Sequence, residues 1–238
     1  MMGKLKLIAL CTVSIFLLCG CNASTAKKTR NTRISNAETK KIEKAAVAEQ
    51  EKKQLQKQLE GKFEDPEAHY KLGKLYQAYG MWNKAENEFG IALSFDPVYH
   101  EAQAARVNVL LDSGDKAKAT ILADEYVTQA SNSAAGSLQL GLAFQKEGLD
   151  DRALVCYKQA LTLAPNSAKV NRQLGYYYLR KNQPEVAKKY LIDSFQLDNT
   201  QGDVAEELGR LGIAVQVRKP SEDTTKKLDA AVNRANTP

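Results

Sequence analysis

Two histidines are the residues of this sequence best suited to catalysis or metal binding, and neither has the partners that such chemistry needs. His100-Glu101 begins like the helical motif with two histidines four positions apart that binds zinc, but the fourth residue on is Ala104. His69 falls in an apolar pattern, where we expect it to pack in the core. No glycine-rich phosphate loop, G-x-S-x-G or calcium-loop spacing is present. We therefore expect a protein that is not an enzyme and uses no metal or cofactor.

One of the four cysteines follows an apolar segment near the N-terminus. After Lys4 and Lys6 comes the apolar run Leu7–Leu18, whose 12 residues are too few to cross a bilayer. A signal peptide over 1–20 fits this pattern. The residues L-C-G-C that end at Cys21 resemble the bacterial lipobox. This resemblance implies that the Cys21 thiol receives a diacylglycerol and becomes the first mature residue; the alternative is an ordinary secretory signal with an incidental cysteine.

A second cysteine of the mature chain, Cys156, has no disulfide partner if Cys21 is acylated. Cys156 falls on the face of a predicted helix. We expect a half-buried structural thiol rather than a nucleophile, and a fold that is stabilised by packing alone.

Composition favours a helical protein and disfavours binding to nucleic acid. The 238 residues are 43% apolar and only 7% aromatic, which argues against an all-β fold and allows one or two domains. The formal net charge is +6, but residues 38–217 carry a net charge of −2. Because the excess of positive charge lies near the two termini, the folded part is not basic, and we expect no nucleic-acid partner.

The segments on either side of the predicted folded region are polar. Residues 21–37 are rich in Ser, Thr and Asn and carry four basic residues without an acid, which predicts a flexible tether. Its root-mean-square reach is about 20–24 Å. The four charges either contact anionic lipid headgroups or remain solvated. Residues 218–238 are predicted to be a polar mobile tail.

Residues 38–63 are rich in Lys, Glu, Gln and Ala, which predicts an N-terminal polar helix. Only Leu55, Leu59 and then Phe63 offer apolar side chains that can dock on the region that follows.

A repeat with a period of 34 residues organises the rest of the chain. The pair Leu-Gly occurs at 72–73, 140–141, 174–175 and 208–209, and Arg106-Val107 stands in the remaining place of that series. Small and turn-forming residues keep the same spacing: Ala85, Ala119, Ala153 and Ala187; Gly80, Gly114, Gly148 and then Asn182.

These residues resemble the tetratricopeptide repeat (TPR), a helix–turn–helix unit of 34 residues. The resemblance covers 66–99, 100–133, 134–167 and 168–201, which we call repeats one to four, followed by a capping helix from near Gly202. It implies an all-α TPR superhelix over 64–217 with an additional N-terminal helix. Repeat two departs from the pattern, with Ala123 where a large aromatic is usual and Tyr126 where a small residue is usual.

In the TPR family, positions 2, 5, 9, 12 and 13 of each first helix line a concave groove that binds peptides or proteins. Carried over to this sequence, the predicted groove residues are Tyr70, Lys74, Asn108, Leu111, Leu138, Leu142, Lys146, Arg172, Tyr176 and Arg180. The middle of this surface is apolar and its C-terminal end is basic, which suits a peptide with an apolar anchor and an acidic end. The alternative is internal pairing, in which Asp203 and Glu206 neutralise Lys169 and Arg172.

The sequence predicts a membrane-anchored scaffold of the bacterial cell envelope, similar to the TPR lipoproteins of pilus, tight-adherence or secretion machinery. Two alternatives are an adaptor that recruits cell-wall enzymes and a non-catalytic accessory subunit of an envelope enzyme. By analogy with lipoproteins, Asn22 favours the periplasmic face of the outer membrane, because it is not Asp. The sequence does not specify an oligomeric state.

Overall fold

The computed structural model describes residues 36–218, which form ten α-helices and no β-strand. The chain divides into two compact units, Met1–Glu43 and Lys44–Pro238, and all helices after the first belong to the second unit. The helices are α1 (Asn36–Gly61), α2 (Pro66–Ala78), α3 (Trp82–Phe95), α4 (His100–Ser113), α5 (Lys116–Ala130), α6 (Ala134–Lys146), α7 (Asp150–Leu163), α8 (Ala168–Arg180), α9 (Pro184–Leu197) and α10 (Gly202–Arg210).

Several predicted segments lie outside the described residues. These are the signal peptide 1–20, the lipidation site Cys21, all but the last two residues of the tether 21–37, and the tail from residue 219 onward. The N-terminal helix spans Asn36–Gly61, two residues earlier at each end than the sequence predicts. Within the described part of the chain, no helix combines the length and apolar character needed to cross a membrane.

The second unit is a stack of helix pairs, and each pair corresponds to one 34-residue repeat. Helices α2 and α3, α4 and α5, α6 and α7, and α8 and α9 pack against each other, and each pair contacts the next. Helix α10 packs on α9 and covers the last pair together with the chain that follows it, through Ile213 and Val215. The predicted all-α TPR solenoid, with four repeats, a capping helix and an additional N-terminal helix, is confirmed.

The turn inside each repeat requires a left-handed backbone at one position. Gly80, Gly114 and Gly148 follow the first helices of repeats one to three with φ values of 67°, 91° and 77°. Asn182 takes this place in repeat four with φ of 54°, a conformation that Asn adopts more readily than most residues. The turn-forming residue of the 34-residue series therefore ends each first helix.

Helix α1 docks on repeat one through a small apolar contact. Leu55 and Leu59 are buried against Ala68 and Leu72 of α2, as the sequence predicts. Phe63 is 59% exposed, although its ring meets His69 edge-on with the ring centroids 5.1 Å apart.

Positions are counted from the first residue of each repeat. The residues at positions 8 and 24 contact each other where the two helices of a repeat approach most closely. A Cβ atom added to Gly73 would lie 2.6 Å from Phe89 Cε1, and one added to Gly141 would lie 2.6 Å from Tyr157 Cε1. At Gly175 the corresponding distance, to Leu191 Cδ2, is 2.5 Å. Glycine at position 8 therefore provides the space for a large side chain at position 24.

Repeat two exchanges the large and small members of this pair. Val107 replaces the glycine at position 8 and Ala123 replaces the large residue at position 24, and both are buried in the same cluster. Tyr126 fills the space one turn further along, and its hydroxyl lies 3.5 Å from Nη1 of Arg106. Arg106 also donates to Glu86 of repeat one, from Nη2 at 2.7 Å. In repeat two, the larger residue at position 8 is therefore compensated by the smaller one at position 24, and the polar Arg106 has polar partners in Glu86 and Tyr126.

Position 4 of the first helix is polar and buried in all four repeats, and of these residues only His69 was predicted to pack in the core. Each side chain contacts a main-chain carbonyl six or seven residues earlier, which lies in the connection before the first helix or, for Ser137, at the last residue of α5. The distances are 2.9 Å for His69 Nε2 to Phe63 O, 2.8 Å for Gln103 Nε2 to Pro97 O, 3.0 Å for Ser137 Oγ to Ala130 O and 3.2 Å for Asn171 Nδ2 to Pro165 O. This position-4 column ties each first helix to the segment of chain before it. Phe63 O and Ala130 O also accept hydrogen bonds from the main-chain N–H groups of Asp65 and Ser133.

Cys156 is completely buried rather than half-buried as predicted. Burial raises the pKa of its thiol to about 12, so the nucleophilic thiolate is a minor species at neutral pH. A structural role for Cys156 agrees with this environment.

Candidate functional site

The first helices of successive repeats share one face of the stack. Helix α2 contacts α4, and α4 contacts α6. Lys74 of α2 reaches Glu147, which directly follows α6, across two repeats. Side chains of repeats one and three meet in this way only if the stack curves toward that face, so the first helices line its concave side.

In the N-terminal half of the groove, the carboxylate of one glutamate and three other polar side chains form a hydrogen-bonded cluster. Lys74 Nζ lies 2.9 and 3.0 Å from the two carboxylate oxygens of Glu147, and Asn108 Nδ2 donates to the second of them at 3.2 Å. Gln77 Oε1 accepts a further hydrogen bond from Lys74 Nζ at 2.8 Å. We call Lys74, Gln77, Asn108 and Glu147 the Glu147 cluster. Both predicted groove residues of this cluster, Lys74 and Asn108, therefore have partners within the chain.

Tyr70 forms the wall of this half of the groove. Its half-buried ring lies 5.1 Å from the ring of Tyr99 and 5.9 Å from that of Phe89, measured between centroids. Burial, with added repulsion from Glu147 and Glu101, raises the pKa of Tyr70 to about 12. Tyr70 therefore presents an uncharged hydroxyl and an apolar ring to the groove at neutral pH.

The apolar middle of the groove is smaller than the sequence predicts. Leu142 is half-buried and Leu111 is 36% exposed, so both offer surface. Leu138 is only 4% exposed and belongs to the central core cluster. The position-5 side chain of repeat three thus packs between helices instead of facing a ligand, and we remove Leu138 from the groove surface.

The C-terminal end of the groove contains a second internal contact. Tyr176 donates from its hydroxyl to Asp203 Oδ2 at 2.7 Å, and Arg172 Nη1 lies 3.5 Å from the same oxygen. Burial and this hydrogen bond raise the pKa of Tyr176. The predicted alternative of internal pairing is therefore half realised, because Asp203 contacts Arg172 whereas Glu206 pairs with Arg210.

Lys146 and Arg180 occupy position 13 in repeats three and four, and both are exposed. Neither forms an ion pair with any other residue that the structure describes, and the same holds for Lys169. Lys146 follows Leu142, and Arg180 follows Tyr176, by one helical turn on the same helix face. We call these four residues the C-terminal half of the groove.

The other features of the described residues provide no rival site. No three His, Cys, Asp or Glu side chains in this part of the chain are arranged to hold a metal ion. His100 contacts Gln103 of the position-4 column through Nδ1 at 3.0 Å. A shallow cavity of about 330 Å³ lies beside Gly148 and the first turn of α7, where Lys181 pairs with Asp150.

Glu147 is the site residue that sequence reasoning missed. It stands at position 14, one residue beyond the positions that line the groove in the TPR family. No local signal in the sequence marks it, because its partners belong to repeats one and two.

Comparison with known proteins supports the repeat and adds structural likenesses. Residues 136–167 match the family model described as tetratricopeptide repeat. No curated protein matches the chain.

Among solved structures, MamA from Desulfovibrio magneticus RS-1 (residue 41 to the end) is 21% identical, with 69% of this chain and 93% of that chain covered and a TM-score of 0.38. PilF of Pseudomonas aeruginosa is 26% identical, with coverages of 61% and 67% and a TM-score of 0.37. YrrB, described as a TPR protein with an unusual peptide-binding site, is 19% identical, with coverages of 74% and 90% and a TM-score of 0.38. The chain thus contains a tetratricopeptide repeat at residues 136–167, within the stack of helix pairs that the structure describes.

Proposed function

We propose that this protein is a lipid-anchored scaffold of the bacterial cell envelope that binds an acidic segment of a partner protein in the C-terminal half of its groove. The observation that carries the binding role is that two exposed cations without an ion-pair partner among the described residues, Lys146 and Arg180, each follow a position-9 residue by one helical turn. The finer role in a pilus or secretion-type machine rests on the resemblance of the sequence to TPR lipoproteins.

The chemistry of this half of the groove favours one class of ligand. Tyr176 and Leu142 stand one repeat apart at position 9, and Arg180 follows Tyr176 by one helical turn on the same face. Tyrosine and arginine are the residue types that most often dominate binding energy when a partner excludes water from them. An extended or helical peptide with one apolar anchor followed by acidic residues matches this arrangement.

We expect the variants Arg180→Ala and Lys146→Ala to weaken binding of such a peptide. A synthetic decapeptide with one leucine followed by three glutamates serves as the probe, and its counterpart with three lysines is the ligand control. Each substitution removes a desolvated charge-assisted contact, so we expect affinity to fall by about 5- to 150-fold, or ~1–3 kcal/mol. Isothermal titration calorimetry on the full chain measures the change.

Lys158→Ala is the matched control, because Lys158 is exposed on α7, a second helix outside the groove. It should bind the acidic peptide as the wild type does. Equal affinity of the wild type and Arg180→Ala for the acidic peptide, or equal affinity of the wild type for the acidic and basic peptides, would contradict the proposed ligand class.

The anchor is tested separately from the groove. We expect Cys21→Ala to abolish fatty-acid labelling and to move the protein from the membrane fraction to the soluble fraction, because only a thiol at that position is alkylated in lipoproteins. Metabolic labelling with a fatty acid followed by fractionation measures both effects, and Cys19→Ala is the matched control that should keep the label. Label retained on the Cys21→Ala protein would show that the anchor lies elsewhere.

A further inference from the structure

In the Glu147 cluster, the carboxylate of Glu147 lies inside the groove and is almost completely buried. The side chain of Glu147 is 6% exposed, whereas that of its partner Lys74 remains 37% exposed. Removing a carboxylate from water is costly unless cations and hydrogen-bond donors replace the lost hydration. Here Lys74 and Asn108 supply that replacement from two different repeats.

The donors of this cluster face the groove rather than the core. Lys74 and Asn108 both stand at position 9, the position that Leu142 and Tyr176 occupy in the open half. Gln77 supports the cluster from its far side, since its amide Nε2 reaches Asp112 Oδ2 at 3.4 Å. A cation and an amide donor at the groove surface together make a binding position for a carboxylate, and Glu147 fills it.

We propose that Glu147 is a built-in occupant of this position, so that the N-terminal half of the groove is closed until an acidic group of the ligand displaces it. This inference rests on the proposed function of the groove and adds its regulation. The groove then has two anion-binding positions, one open at Lys146 and Arg180 and one self-filled at Lys74 and Asn108. A short acidic ligand uses only the open position, whereas a longer ligand with acidic groups at both ends competes with Glu147.

Two synthetic peptides distinguish these cases in the full chain. The short probe is the decapeptide with one leucine and three glutamates, and the long probe adds a second group of three glutamates eight residues further on. We expect Glu147→Gln to bind the long peptide at least 5-fold more tightly than the wild type does, because the substitution removes the competing charge. The short peptide should bind both proteins equally.

Two further variants attribute the gain to this cluster. Adding Lys74→Met to Glu147→Gln should abolish the gain, because the cation that receives the ligand is then missing. Glu185→Gln changes an exposed acid on α9 and should leave both affinities unchanged. Thermal melts followed by circular dichroism establish that each variant is folded, and Glu147→Ala replaces Glu147→Gln if the latter is not.

The outcomes separate this inference from the proposed function. Equal affinity of the wild type and a folded Glu147 variant for the long peptide overturns the inference, while a loss of short-peptide binding in Arg180→Ala still supports the function. A wild type that binds neither peptide contradicts the function, and binding of the long peptide by Glu147→Gln in that case supports the inference. Absence of binding by every protein overturns both.

Discussion

Gly141→Ala should destabilise the fold by ~1–3 kcal/mol, although it adds a single methyl group to a helix. The added Cβ would lie 2.6 Å from Cε1 and 2.7 Å from Cδ1 of Tyr157, and 3.1 Å from Cβ of Cys156. The ring of Tyr157 is fully buried, and its hydroxyl donates to Gln145 Oε1 at 2.6 Å, which holds the ring in place. The clash therefore has to be relieved by separating α6 from α7.

Gly209→Ala is the matched control and should stabilise the fold slightly rather than destabilise it. Gly209 continues the same Leu-Gly series in α10, but among the residues that the structure describes nothing lies within 4 Å of a Cβ at this position. Alanine is favoured over glycine inside a helix by up to ~1 kcal/mol, so a small stabilisation is expected. Denaturant unfolding of the full chain measures both. Equal midpoints for Gly141→Ala and the wild type would mean that the repeat register is wrong.

Repeat two avoids this clash by having a small residue at position 24 opposite a larger one at position 8. A double-mutant cycle in repeat three tests whether the same exchange is tolerated there. Gly141→Val and Tyr157→Ala each should destabilise repeat three, the first by overpacking and the second by leaving a cavity. The double variant reproduces the arrangement of Val107 and Ala123. We expect it to lower the free energy of unfolding by less than the sum of the two single changes.

The 34-residue series made the fold predictable from the sequence, because each conserved spacing corresponds to one physical requirement repeated in every unit. Gly80 and its equivalents end first helices with a left-handed residue, and Gly141 and its equivalents allow close helix contact. The compensation in repeat two was not predictable from single positions. Val107 and Ala123 each look like a departure, and only their contact in the core makes them a pair.

The groove was predictable only as a set of positions. Position 5 faces the groove at Tyr70 but packs into the core at Leu138, because the exposure of a side chain at the edge of the apolar face depends on the neighbouring repeat. The partner of Lys74 lies 73 residues away in Glu147, and such a pair depends on the curvature of the whole stack. Local spacing contains no information about that curvature.

The position-4 column was visible in the sequence, since His69, Gln103, Ser137 and Asn171 stand 34 residues apart and are all polar. Apolar residues are expected at buried positions of a repeat, so a polar residue retained there four times indicates a hydrogen-bond requirement. In the structure, each of these side chains contacts a main-chain carbonyl of the segment before its helix.

Gln103→Met should therefore destabilise the protein by ~1–3 kcal/mol, even though methionine has nearly the same shape and is more apolar. Gln103 is 1% exposed, donates to Pro97 O at 2.8 Å and to Gln129 Oε1 at 2.9 Å, and contacts His100 Nδ1 at 3.0 Å. The substitution removes three hydrogen bonds that a buried side chain makes to half-buried or exposed partners, at a net value of about 0.5–1.5 kcal/mol each, and added apolar burial offsets only part of that loss.

Gln139→Met on the exposed face of α6 makes the same chemical change without loss of a buried hydrogen bond, and it should alter stability by no more than ~0.5 kcal/mol. Denaturant unfolding compares the two variants directly. If Gln103→Met were as stable as Gln139→Met, the turn carbonyls would be satisfied without the side chain at position 4. The column would then contribute to the packing of the repeats but not to their hydrogen bonding, and Asn171→Leu in repeat four should be equally harmless.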